Sequence, residues 1–123
     1  MQLIKTKKAL ITGGTAGIGK EIALAFAKQG ADVAIFGTNA ERSAQVLQEL
    51  EQVKSFPEQR FESFLVNVSE KASVVGSIEQ LLAKWGQVDI LVNNAGITRD
   101  GLLMRMTEDD WDQVIDKIGR AHV

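Results

Sequence analysis

The stretch Ala9-Leu10-Ile11-Thr12-Gly13-Gly14-Thr15-Ala16-Gly17-Ile18-Gly19-Lys20 constrains this chain more than any other. A short apolar run, Lys8 to Thr12, stops at glycines, and an amphipathic segment opens among them. The run fits a strand buried on both faces. Each glycine has a physical task. Gly13 permits a tight turn with backbone angles that other residues avoid. Gly17 lets the backbone approach a ligand with no Cβ in the way, and Gly19 lets the helix pack close to a sheet. A helix start offers unpaired N–H groups and a positive dipole end, a natural seat for a pyrophosphate. The spacing alone is weak evidence. Its place between a buried strand and an amphipathic helix is the confirming context. A tight loop that holds no ligand is the competing reading. The loop that ends in Lys-Ser or Lys-Thr for nucleoside triphosphates is excluded, because Glu21 follows Lys20.

The rest of the chain repeats this alternation. After Gly17 the apolar residues Ile18, Ile22, Ala25 and Phe26 recur at helical spacing, and Gly30 is a plausible stop. Asp32 to Phe36 is again short and apolar. A helix then follows Asn39, its expected N-cap, with Val46, Leu47, Leu50 and Val53 on one side. Ser55 to Gln59 contains the only proline and reads as a surface loop. Arg60 to Val68 is the third strand candidate. Ser69 is the expected cap of a helix whose stripe is Val74, Val75, Ile78, Leu81, Leu82 and Trp85. Val88 to Asn93 is the fourth strand, and Thr107 begins a last helix with acids in its first turn. Helices of this length between apolar strands imply parallel pairing with right-handed crossovers. The Leu, Val and Trp stripes are core and carry no functional assignment. The expected fold is α/β, a Rossmann-type doubly wound parallel sheet of strand order 3-2-1-4, truncated after the fourth strand and its helix.

Composition excludes several other classes. The 123 residues carry a net charge of −2, which gives no electrostatic reason to expect nucleic acid or an anionic membrane as partner. Cysteine is absent, and the only histidine is His122, so thiolate chemistry is excluded and no metal site is expected. No apolar run is long enough to span a bilayer, and the N-terminus lacks the apolar core of a secretory signal. The expected location is the cytoplasm.

Thr12 followed by Gly13-x3-Gly17-x-Gly19 resembles the short-chain dehydrogenase/reductase family. A second block supports this, Asn93-Asn94-Ala95-Gly96 at the end of the fourth strand. The stretch Val88 to Ile115 resembles the bacterial 3-oxoacyl-[acyl-carrier-protein] reductases of fatty acid synthesis, most specifically Asn94 to Met106. Residues 8 to 116 fit the N-terminal half of that family. The resemblance implies a dinucleotide held by Gly13, Gly14, Thr15, Ala16, Gly17, Ile18, Gly19, Thr38, Asn67, Val68, Asn94, Ala95 and Gly96. It also implies an acyl-carrier-protein-linked substrate and a homotetrameric parent enzyme. For Val68, core packing is an equal account.

The cofactor is expected to be NADP. A carboxylate at the end of the second strand would bind the adenosine ribose of NAD and repel the 2′-phosphate of NADP. Gly37 stands there, and no acid follows until Glu41. Thr38 matches a position that contacts NADP in the resembled reductases, and Thr15 offers a hydroxyl. Many NADP-dependent members carry Arg where this chain has Ala16. Arg42 is either its substitute or a solvated helix residue.

Carbonyl reduction needs an acid to protonate the forming alkoxide. In the resembled family that acid is a Tyr, with a Lys four residues later, a Ser and an Asn. This chain contains no tyrosine, so no catalytic residue is assigned. The family pattern runs through Asp116 and then stops in mid-helix. Ile118 to Val123 is the literal translation of ATC-GGA-AGA-GCA-CAC-GTC, which resembles a sequencing-adapter read. The expected organisation is therefore residues 1–116 as part of a dinucleotide-binding domain and 117–123 as a non-native tail. The resulting reading is an inactive fragment of an NADPH-dependent 3-oxoacyl-[acyl-carrier-protein] reductase. Its alternatives are another short-chain alcohol dehydrogenase or ketoreductase, and a non-catalytic dinucleotide-binding module.

Overall fold

Four short apolar runs pair into one parallel sheet. A computed structural model of the chain describes residues 4–67 and 70–92. Val68, Ser69, the Asn93–Gly96 block, the helix expected from Thr107 and the tail at 117–123 lie outside the described residues. The strands are β1 (Lys8–Thr12), β2 (Asp32–Gly37), β3 (Phe61–Leu65) and β4 (Ile90–Val92). Their order is β3-β2-β1-β4, and every pair is parallel. The expected order of strands is therefore the observed one. β3 is shorter than expected, Phe61–Leu65 rather than Arg60–Val68.

Period-two alternation divides the apolar residues between two faces. Ile11, Val33 and Ile35 join Ala23, Ala27, Val46 and Leu50 in one core layer, under α1 (Gly17–Lys28) and α2 (Ala40–Val53). Leu10, Ala34 and Phe36 point the other way, to Val74, Ile78, Leu81, Leu82 and Trp85 of α3 (Lys71–Trp85). Right-handed crossovers give this arrangement. Moving outward from β1 to β3 puts α1 and α2 on one face, and returning past β1 to β4 puts α3 on the other. The order reverses between β1 and β4, a topological switch point whose crevice lies at the carboxyl ends of the strands.

Two expectations about helix faces need correction. In α1 the buried residues are Gly19, Ala23 and Ala27, not the stripe Ile18, Ile22, Ala25 and Phe26. Ile18 is 65% exposed, Ala25 is exposed, and Ile22 and Phe26 are half-buried at the margin of the core. Small side chains let α1 lie close on the sheet, and the larger ones are displaced to its flank. The second correction concerns α3. Its N-cap position is Glu70 rather than Ser69, and Glu70 makes no side-chain cap hydrogen bond. Its carboxylate instead accepts from Asn67 Nδ2 at 3.2 Å. α2 behaves as expected, with Asn39 Oδ1 accepting from the Arg42 amide at 2.9 Å.

The loop from Ser55 to Gln59 is less superficial than its composition implies. Gln59 is buried. Its Oε1 accepts from the amides of Ser55 (2.6 Å) and Phe56 (2.8 Å), and its Nε2 donates to the carbonyls of Ala27 (2.9 Å) and Ala31 (2.7 Å). All four bonds of this side-chain amide are made, which is what its burial requires. Asp32, also buried, accepts from the Arg60 amide at 3.0 Å. These contacts tie the lower ends of the strands together, away from the glycine-rich turn.

Candidate functional site

The chain leaves β1 at Thr12 and turns at once onto the end of β2. The amides of Gly13 and Gly14 both donate to the carbonyl of Phe36, at 2.9 and 3.2 Å. Gly13 has φ 68° and Gly17 φ 57°, the left-handed region that glycine enters without penalty. Gly14 is needed for a different reason. A Cβ there would lie 2.6 Å from Ile35 Cγ2, inside the core. Over Gly17 the space is open, with nothing within 4 Å of a built Cβ. The tight turn expected at Gly13 agrees with its backbone angle, the space over Gly17 is open, and Gly19 is buried.

α1 then begins without protection. Ala16, in extended conformation, is its N-cap and has no side-chain cap hydrogen bond, and no acid stands in the first turn. The amide of Lys20 donates back to the Ala16 carbonyl at 3.3 Å. The amides of Gly17, Ile18 and Gly19 precede that bond and lie outside the helix ladder. Ala16, Gly17 and Ile18 are exposed. A bare, uncapped helix start with its positive dipole end outward can seat an anion. Lys20 does not reach back to the turn. Its Nζ lies 3.0 Å from Glu49 Oε2 on α2, a charge contact without hydrogen-bond alignment.

Beside this turn the ends of β2 and β3 form a second surface. Thr15 packs against Gly37: a Cβ built on Gly37 would lie 2.4 Å from Thr15 Cγ2. Thr38 and Asn67 are both exposed and line one open cleft of about 390 Å³ with Leu65, Val66 and Ser73. The amide of Asn67 donates to Ser73 Oγ at 3.1 Å, and the amide of Val66 donates to the Gly37 carbonyl at 2.9 Å. Gly13 to Gly19, Thr38 and Asn67 thus lie along the carboxyl ends of β1, β2 and β3. Val68, Asn94, Ala95 and Gly96 lie outside the described residues. The described part of the chain reaches them at β4, where Thr12 Oγ1 donates to the Val92 carbonyl at 3.4 Å.

Three residues of this region were missed from sequence. Ser43 is buried beside Gly37. Its signal was its place on the inward stripe with Val46 and Leu50, one turn into α2. Leu65 and Ser73 line the cleft, and nothing local marks them. Ala16 is exposed and carries no charge. Among the described residues the Arg42 guanidinium makes no ion pair. No group of His, Cys, Asp or Glu among the described residues is arranged to hold a metal, and no described helix is long and apolar enough to cross a membrane.

A parallel sheet of order 3-2-1-4, with a glycine turn feeding an uncapped helix at its switch point, defines a Rossmann-type α/β unit. The family model for short chain dehydrogenases matches residues 7–118, and the chain belongs to that family. Dehydrogenases of this family are oxidoreductases that use a nicotinamide dinucleotide. The 3-oxoacyl-[acyl-carrier-protein] reductase of Chlamydia muridarum is 46% identical over 114 residues, covering 93% of this chain and 45% of that protein. The enzyme of the same name from Staphylococcus aureus is 44% identical over 113 residues, covering 90% and 44%. Among solved structures, a short chain dehydrogenase from Mycobacterium smegmatis matches with TM-score 0.71 at 31% identity, covering 94% of this chain and 48% of that one. Glucose dehydrogenase of Caenorhabditis elegans matches with TM-score 0.69 at 38% identity, covering 78% and 40%. The chain spans less than half the length of these relatives.

Proposed function

We propose that this chain is the cofactor-binding half of an NADPH-dependent 3-oxoacyl-[acyl-carrier-protein] reductase of fatty acid biosynthesis. The observation that carries the reading is the uncapped start of α1, with the amides of Gly17 to Gly19 outside the ladder and the turn bonded to Phe36. These amides would hold the pyrophosphate. Thr15 and Thr38 would face the 2′-phosphate, with Gly37 between them in place of a repelling carboxylate. Asn67 and Val68 would border the adenine, with Leu65 as an apolar wall. Asn94, Ala95 and Gly96 would line the far side of the pocket. When bound, the nicotinamide supplies a hydride to the 3-keto carbon of an acyl thioester.

The choice of substrate is supported by the names of the similar reductases and by the Asn94-to-Met106 stretch. The chain has no tyrosine to protonate the alkoxide, so alone it binds cofactor and does not reduce a ketone. The parent enzyme would be a cytoplasmic homotetramer. That lack of tyrosine equally favours a second reading, a dinucleotide-binding module without catalysis. Calorimetric titration of the purified chain with NADPH and with NADH tests the binding. The expected result is saturable binding with NADPH tighter. Binding of neither nucleotide, or turnover of a 3-oxoacyl thioester by the chain alone, would overturn the proposal.

A further inference from the structure

Gly37 ends β2 with no room for a side chain. A Cβ there would lie 2.4 Å from Thr15 Cγ2, 3.2 Å from Thr15 Oγ1 and 3.3 Å from Ser43 Oγ. The first distance is shorter than carbon atoms tolerate. Thr15 is β-branched, so two of its three χ1 positions hold a heavy atom and a single rotamer would clear the point. The turn itself cannot retreat easily, because the Gly13 and Gly14 amides are bonded to the carbonyl of Phe36, the residue before Gly37. Beneath the same spot Ser43 is 3% exposed, and its hydroxyl has no hydrogen-bond partner. A buried donor without an acceptor is unusual enough to need a reason.

We propose that Thr15 is a specificity-determining residue: its methyl group occupies the first atom of any residue-37 side chain and so bars the carboxylate that would select an unphosphorylated ribose. Ser43 is the latent partner of that missing carboxylate, a donor already in place on the other side of Gly37. The bar against a selecting carboxylate at position 37 is then a property of the Thr15–Gly37 contact and not of Gly37 alone. The inference deepens the NADPH reading and rests on it for its functional half.

The test uses the 123-residue chain in four forms: unaltered, Gly37→Asp, Thr15→Ser and Thr15→Ser with Gly37→Asp. Calorimetry with NADPH and NADH is paired with thermal melts. Thr15→Ser keeps the hydroxyl, removes the clashing methyl, and is the reference against which the double variant is compared. Gly37→Asp alone should melt lower and gain no NADH affinity. The double variant should recover the melting temperature and shift the NADH-to-NADPH affinity ratio at least about tenfold toward NADH, the scale of one hydrogen bond to a charged group. Gly37→Ala, with and without Thr15→Ser, repeats the melting comparison free of charge effects. A Gly37→Asp chain as stable as the unaltered one, or itself gaining NADH affinity, overturns the inference. So does a double variant that recovers neither property. Equal affinity of the unaltered chain for both nucleotides would sink the NADPH reading instead, while the melts still report on the steric bar.

Discussion

Gly17 and Gln59 represent two kinds of residue in this chain, one readable in advance and one not. Gly17 was legible because its task is local: a strand must become a helix within a few residues, and a left-handed angle is the short route. The observed φ of 57° is that angle. Gly17→Ala should destabilise the chain by roughly 1–2 kcal/mol from backbone strain alone, since a methyl group there meets nothing within 4 Å. Urea denaturation measures this, and an unchanged midpoint would contradict it. Gln59 was not legible, because its partners Ala27 and Ala31 lie 32 and 28 residues away. A glutamine next to a proline-containing loop looks solvated until those carbonyls are placed beside it. Gln59→Leu would remove a partner from two amides and two carbonyls, of which Ala27 keeps the Gly30 amide, and should lower stability by roughly 2–4 kcal/mol. A loss below about 0.5 kcal/mol, the range of an ordinary surface change, would mean that solvent replaces the four bonds.

At the scale of elements, strands and helices were readable from period and stop signals, and the orientation of α1 was not. Large side chains mark the buried face where a helix is held away from its sheet by bulky contacts. Here the close approach of α1 selects Gly19, Ala23 and Ala27 for the interface, and Ile18 falls outside it. α2 and α3 bury Val46, Leu50, Ile78 and Leu81 in the usual way, so their stripes were read correctly. The distinction has a consequence in stability. Ala23→Leu inserts volume where there is none and should cost about 1–3 kcal/mol, whereas Ile18→Gln should change stability by less than about 0.5 kcal/mol. Chemical denaturation of both variants is the check, and equal losses would return Ile18 to the core face.

The whole molecule has a sheet whose described strands end at β4, with Ile90, Leu91 and Val92 half-buried. Among the described residues no strand pairs with the outer edge of β4, and an open edge beside half-covered apolar side chains is a template for another strand. The purified chain should therefore associate with itself as its concentration rises, measurable by light scattering behind size exclusion. A single monomeric species at every concentration would show that the edge is covered. The order of elements, the parallel sheet and the place of the glycine turn are written in the amino-acid order, because each follows from local spacing and from the handedness of crossovers. Which face of α1 is buried, that Gln59 is an anchor, and that Thr15 and Ser43 close over Gly37 emerge only from the packed fold. Those facts depend on distances between segments far apart in the chain, and no local pattern of side chains encodes how closely two such segments will pack.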